Sequence, residues 1–382
     1  MQAKPFSGAE FFISRHLLQP GCGMRCVLAG IRSGGDGIPA GKGWVDRGWG
    51  AWHKGHMRFH PPATMSVEAA LRDLGAERLE VRLKAAENLG RVAEHEAATT
   101  ALVSTLADPA VELRYTAALA LGELKAVEAL EPLLTLLDDA EPLARQGAVV
   151  ALGALGQADA GSALLARIDD PSADVRFQLP AALTQVATDD ARAALLALLE
   201  DSDGEVRASA AAALGETCSP AAPSVLADAL AAHLDDVIAV VSLEAAIALS
   251  RLEDARGGDA LLGHLDSRDR APLAAERLFQ RPPAAAREAL ARQAGRLFAE
   301  PAVRIYLAGA LARLDDERGR DRLDKALFGR NTIACGLAIE LCAKIGDAWA
   351  QERLRALADH PRGRNWSEEL HDALATFEPA SQ

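Results

Sequence analysis

The chain has 382 residues, a formal net charge of −13 and 49% hydrophobic residues, with aromatic residues at only 4%. That length exceeds what one compact core ordinarily serves, and an Ala- and Leu-heavy composition poor in β-branched and aromatic residues favours helices over strands. No apolar run reaches the roughly 18 residues of a membrane span, so a spanning helix is excluded.

Charge is spread unevenly. Residues 1–64 hold eight basic against three acidic residues (+5), residues 65–250 twelve against thirty (−18), and residues 251–382 twenty-one against twenty-one (zero). An acidic middle block repels nucleic acid and anionic membrane. It leaves two readings open, a plain solvated surface or a face for a basic partner. The five cysteines, Cys22, Cys26, Cys218, Cys335 and Cys342, have no framework spacing. That usage suits a reducing compartment and leads us to expect a cytoplasmic protein.

Residues 1–64 are rich in Gly and hold three of the five Trp, with no helical periodicity. They read as an irregular or disordered segment, or as a mis-assigned start upstream of Met65, where the composition changes. They lack the h-region of a signal peptide. Cys22, Cys26, His53 and His56 are zinc-type ligands, but the gap between the two pairs matches no zinc-site spacing.

From Ser66 a repeat begins with a period near 31. Arg82, Arg114, Arg145, Arg176 and Arg207 recur at its beat, with weaker equivalents at Ser242, Arg304 and Ala334. Asp108, Asp139, Asp170 and Asp201 each precede an Arg by six residues. Each unit reads as two helices. In one of them Ala191, Ala194, Leu195 and Leu198 form a single apolar stripe; in the next Val206, Ala210, Ala211 and Leu214 do so. A lone pair of short helices cannot bury both stripes, so neighbouring pairs must stack. The Asp is expected to cap the following helix from its turn. The Arg is expected to run its stem along the core and its fork to turn carboxylates and carbonyls. Such repetition is what packing needs and catalysis does not. Gly215 is expected either to permit close packing or to end its helix left-handed. Pro180, four residues past Arg176, is expected to kink its helix. The step of 35 after Arg207 places extra residues near "AAHLDDVIA".

The phrases "VRLKAAENLG", "LRYTAALALG", "ARQGAVVALG" and "VRASAAAALG", each with its preceding Asp, resemble the HEAT repeat. They are closest to the short bacterial HEAT-like repeats named after phycobilisome lyases. The resemblance implies an all-α fold, an α-solenoid of about nine or ten helix pairs, with repeats over residues 65–346 and capping helices and a tail over 347–382. It says little of function, because such scaffolds host lyases, hydroxylases, DNA glycosylases and adaptors. Deoxyhypusine hydroxylases of this kind need several His-Glu dipeptides for two irons; here His95 followed by Glu96 is the only one. A DNA glycosylase of this kind needs a basic surface, and the block at −18 has the wrong sign. No phosphate loop, nucleophile elbow or catalytic carboxylate pair is present. No cofactor and no metal is expected.

Helix geometry points to a binding face. Counting from the recurring Arg, positions −2, +1, +2 and +5 turn away from the buried stripe. Position +1 gives Leu83, Tyr115, Gln146, Phe177 and Ala208; position +5 gives Glu87, Leu119, Val150, Ala181 and Ala212. In HEAT-like solenoids these second helices line the concave surface. Tyr115, Leu119, Leu143, Val150 and Phe177 are expected to form an apolar strip rimmed by Glu80, Glu112, Asp174 and Glu205. Such a strip fits a protein partner with apolar and basic contact residues. The competing reading is that neighbouring units bury it. Past residue 250 the motif decays. Cys335 and Cys342 read as core thiols, and Trp366 reads as the cover of the open end, with Arg362 and Arg364 beside it. The resulting expectation is a non-catalytic scaffold or adaptor; the alternative is a lyase or chaperone-like subunit of the phycobilisome-lyase type.

Overall fold

The computed structural model describes residues 65–92, 95–186, 190–217, 224–296 and 300–377. The readings of residues 1–64 and of Cys218 lie outside the described residues. Within them the chain forms twenty α-helices and no strand, the number that ten helix pairs require. The fold is an α-solenoid. The chain divides after Leu198 into two compact units.

The first unit contains α1 (Val67–Asp73), α2 (Leu79–Leu89), α3 (His95–Thr105), α4 (Val111–Leu124), α5 (Leu130–Leu136), α6 (Pro142–Leu155), α7 (Gly161–Leu165) and α8 (Ala173–Val186), and α9 (Ala191–Leu199) reaches its end. The longer second helices α2, α4, α6 and α8 lie side by side, and each short first helix packs on its own partner. α1 starts where Ser66 accepts a hydrogen bond from the Ala69 N–H, as its N-cap residue type predicts. α8 runs through Pro180 to Val186 without a break.

Close approach of the second helices depends on glycine. A Cβ on Gly90 would fall 2.9 Å from Ala120 Cα, one on Gly122 3.1 Å from Ala151 Cα, and one on Gly153 2.7 Å from Ala182 Cα. In the second unit a Cβ on Gly215 would fall 2.7 Å from Ala248 Cα. Gly215 therefore serves packing. Its helix continues to Thr217, and among the described residues the left-handed glycines are Gly156 and Gly346. The Ala pairs 85–86, 117–118 and 210–211 are fully buried, so small side chains set the spacing throughout.

The recurring Arg and Asp join successive repeats. Arg114 donates through Nε and Nη2 to both carboxylate oxygens of Asp139, each at 2.8 Å. Arg145 does the same to Asp170 at 2.9 Å, and Arg82 reaches Asp108. The remaining Nη1 turns back to its own repeat, where Arg114 donates to the Asp108 carbonyl at 2.8 Å and Arg145 to the Asp139 carbonyl at 2.9 Å. The guanidiniums of Arg114 and Arg145 thus each tie their own turn to the next one. The Asp does not cap the helix interior as expected. Its Oδ1 accepts from the N–H two residues on, Ala110, Glu141 or Ser172, each at 2.9 Å. It folds the turn before the helix, while the N-cap positions Ala110 and Glu141 have no side-chain cap.

The second unit contains α10 (Gly204–Thr217), α11 (Ser224–Ala231), α12 (Ala239–Arg251), α13 (Ala255–His264), α14 (Ala271–Gln280), α15 (Arg287–Ala294), α16 (Pro301–Arg313), α17 (Glu317–Leu327), α18 (Thr332–Ile345), α19 (Ala348–Asp359) and α20 (Ser367–Ala375). Arg207 pairs with Asp236 through two bonds of 2.9 and 3.0 Å, across 29 residues against 25 or 26 in the first unit. The extra residues of the long step thus lie before Asp236. Past Asp236 the joint changes character. Ser242 stands in the Arg position and donates to the Leu234 carbonyl, eight residues back. Cys335 donates to the Leu327 carbonyl, again eight back. Ser242 and Cys335 are three periods of 31 apart, so the last repeat is registered on Cys335 and not, as the sequence suggested, on Ala334.

A core of larger side chains takes over, including Phe279, Leu307, Leu311, Leu341 and Cys342. At the end α20 packs on α18, and the Trp366 ring lies where a Cβ on Gly336 would touch it at 3.0 Å. Arg362 donates to the carbonyls of Phe328 and Gly329, which makes it a tie between turns.

Candidate interaction face

The sequence-predicted face lies on the second helices. Tyr115, Leu119, Leu143, Val150 and Phe177 are all half-buried, on α4, α6 and α8 of the first unit. Glu80 and Asp174 are exposed and Glu112 is half-buried; Glu205 is half-buried and belongs to the second unit. The strip is therefore neither core nor open surface. Tyr115 shows why: its ring and backbone lie against Gly147 of α6, where a Cβ would come within 3.0 Å of Cδ2. Burial pushes its phenol up to about 12, so it is a neutral packing group at physiological pH. The +1 position was drawn too openly. Gln146 and Ala208 at that position, and Ala212 at +5, are buried.

The polar groups that sequence reasoning missed lie in the second unit. Glu244 and Tyr306 each stand two residues past the repeat's Arg position, on the series that turns away from the stripe. Burial pushes the Glu244 carboxyl above the usual range, with Arg277 and Arg251 pulling the other way. Burial likewise holds Arg251 below its usual value, with Arg277 adding to it. Arg251 meets Glu216 at 3.5 Å, and Arg277 donates to Gln280 at 2.9 Å. The signal for this cluster was a single Glu at +2 of a repeat whose Arg had already become Ser.

Ser242 and His264 form a buried pair, Oγ to Nε2, at 3.3 Å, which has the outline of a nucleophile and its base. The third partner decides against catalysis. Arg270 donates to His264 Nδ1 at 2.9 Å, and a guanidinium can only donate. Nε2 therefore carries the proton and gives it to Ser242, whose hydroxyl is committed to the Leu234 carbonyl. Burial, then Arg270, holds the imidazole below its usual pKa. A nucleophile's base needs a free Nε2 lone pair, so this relay is a structural replacement for the lost Arg–Asp joint.

Cys335 and Cys342 are buried free thiols, and burial pushes Cys342 up to about 12. Among the described residues no group of three or more His, Cys, Asp or Glu side chains is placed to hold a metal ion. No described helix is long and apolar enough to cross a membrane.

What the geometry describes as joined helix pairs, comparison with known families also finds. Residues 99–179 and 161–243 match HEAT repeats. HEAT repeats are thus matched over residues 99–243 of the chain. Among solved structures, a chain of the Kap95p–RanGDP structure is 12% identical with a TM-score of 0.52, over 81% of this chain and 52% of that one. This chain thus spans about half of that one, and the likeness concerns the fold alone. The CpcE–CpcF complex of phycocyanin lyase from Nostoc is 21% identical with a TM-score of 0.37, over 76% of this chain and 98% of that one. Human deoxyhypusine hydroxylase is 20% identical with a TM-score of 0.31, over 81% and 95%. No curated protein sequence matches the chain.

Proposed function

We propose that this HEAT-repeat chain is a non-catalytic scaffold that binds another protein along its second helices. In this reading Tyr115, Leu119, Val150 and Phe177 supply apolar contacts, and Glu80, Glu112 and Asp174 supply acidic flanks. The observation that carries the reading is a row of large side chains left half-buried on the adjacent second helices α4, α6 and α8. Such a row with a charged rim suits a partner that completes its burial. The charge of −18 over residues 65–250 selects a partner with basic residues beside its apolar ones.

Tyr115 is a poor residue to mutate, because its ring packs on Gly147. The test therefore uses the exposed rim. Peptides alternating Leu with Arg, and matched versions with Glu for Arg, are titrated into the full chain and into Glu80→Lys/Asp174→Lys. The expected result is binding of the basic series alone, weakened about tenfold by the double reversal and by added salt. Equal binding of both series, or no effect of the reversal, overturns the reading.

A further inference from the structure

The repeat register identifies a place where one half of the Arg–Asp joint is missing. Arg304 lies two periods of 31 past Ser242, so it occupies the recurring Arg position. The matching carboxylate lies 25 residues on from Arg114 and from Arg145, at Asp139 and Asp170, six residues before the next repeat position; six before Cys335 is likewise 25 past Arg304. For Arg304 that residue is Gly329. No larger residue fits there, because a Cβ on Gly329 would fall 2.5 Å from the Lys325 carbonyl oxygen. The vacated place is open. A pocket of about 280 Å³ is lined by Arg304, Arg322, Lys325, Arg330 and Asn331, with Ile305 among its apolar contacts.

The charge of this pocket is unbalanced. None of its lining residues is acidic. Lys325 is matched by Asp321, but Arg304, Arg322 and Arg330 have no side-chain partner among the described residues. That differs from the rest of the repeat, where Arg82, Arg114, Arg145 and Arg207 each hold a carboxylate. Arg304 and Arg322 are half-buried, while Arg330 stands exposed at the rim. Three arginines thus line one pocket that offers them no carboxylate, and an anion entering it would meet charge-assisted donors.

We propose that this pocket binds the phosphate group of a small phosphorylated ligand, whose oxygens take the place of the absent Asp. A carboxylate offers two oxygens and one charge. A phosphate monoester offers three oxygens and nearly two charges, which suits three arginine forks better. The apolar wall at Ile305 gives the ester's organic part a surface to lie on. This site is independent of the face proposed above, and neither stands or falls with the other.

The test is calorimetric titration of the full chain at neutral pH and fixed ionic strength with inorganic phosphate, phenyl phosphate and acetate. Both phosphates are expected to bind at one site, at least about tenfold more tightly than acetate. Tighter binding of phenyl phosphate assigns the site to esters; equal binding assigns it to free phosphate. The decisive variant is Asn331→Asp. Asn331 caps α18 by accepting from the Ala334 N–H at 3.1 Å, and a carboxylate does the same. Folding is kept while the pocket gains a negative charge. Asn331→Asp and the exposed Arg330→Gln are each expected to lower phosphate affinity about tenfold or more with unchanged circular dichroism. Phosphate binding no tighter than acetate, or binding indifferent to both variants, overturns the proposal.

Discussion

At the scale of single residues, the Arg145–Asp170 pair is the most buried of the joints between repeats. Its side chains are 9% and 1% exposed, and both Asp170 oxygens accept from Arg145. Removing one member of such a pair leaves a buried charge alone, which costs about 3–5 kcal/mol. Arg145→Ala is therefore expected to lower stability by about that amount in urea melts followed by circular dichroism. Arg78→Ala, whose partner Glu80 is equally exposed, is expected to stay within about 0.5 kcal/mol. Similar losses in both would show that burial does not set the strength of the joint. The six-residue Asp-to-Arg spacing made this joint legible in the sequence, since a fork placed one turn into a helix must reach a turn. The role of the Asp was not legible: capping and turn folding use the same residue type, and only the i+2 hydrogen bond separates them. Cys335 was missed for a similar reason, being one small residue beside another.

At the scale of helices, Ala-rich stripes and the Leu-Gly ending were enough to place the helix pairs, but not to say what the glycine does. Propensity alone makes Gly→Ala favourable by up to about 1 kcal/mol inside a helix. Contact with the neighbouring helix reverses that sign where backbone lies in the way. At Gly153 the added methyl would meet Ala182 Cα at 2.7 Å, and a Cα cannot move without its helix. At Gly263, inside α13, a Cβ would meet nothing within 4 Å. Gly153→Ala is expected to lower the melting temperature and Gly263→Ala to raise it, each by a few degrees. A rise in both would mean that α6 and α8 yield easily and that their spacing is not set by glycine. The candidate face was drawn from the same helical wheel. It left Gln146 and Ala208 open where the structure buries them, because a wheel for one helix cannot show which neighbour covers it.

At the scale of the molecule, the joints between repeats change along the chain, and so does their response to acid. In the first unit they include buried carboxylates. Burial would raise the carboxyls of Asp139 and Asp170, but hydrogen bonds from Arg114 or Arg145 and from the turn N–H outweigh it and hold both below the usual range. A carboxyl with a lowered folded pKa contributes stability above its unfolded value of about 3.9 and loses it as pH falls through the folded value. Between α14, α16 and α18 the packing is apolar, through Phe279, Leu307, Leu311 and Leu341. Asp316 is also held low, by Arg318, but it caps the start of its own helix α17, so its protonation frays one turn and parts no neighbours. Amide exchange, corrected for intrinsic rates, is therefore expected to show α4 and α6 losing protection below about pH 4 while α14, α16 and α18 keep theirs. Asp170→Asn removes one of these titrations and is expected to make α6 and α8 less protected at neutral pH but less sensitive to acid. Loss of protection at one common pH in both groups of helices would show that the carboxylates are not what joins the repeats of the first unit.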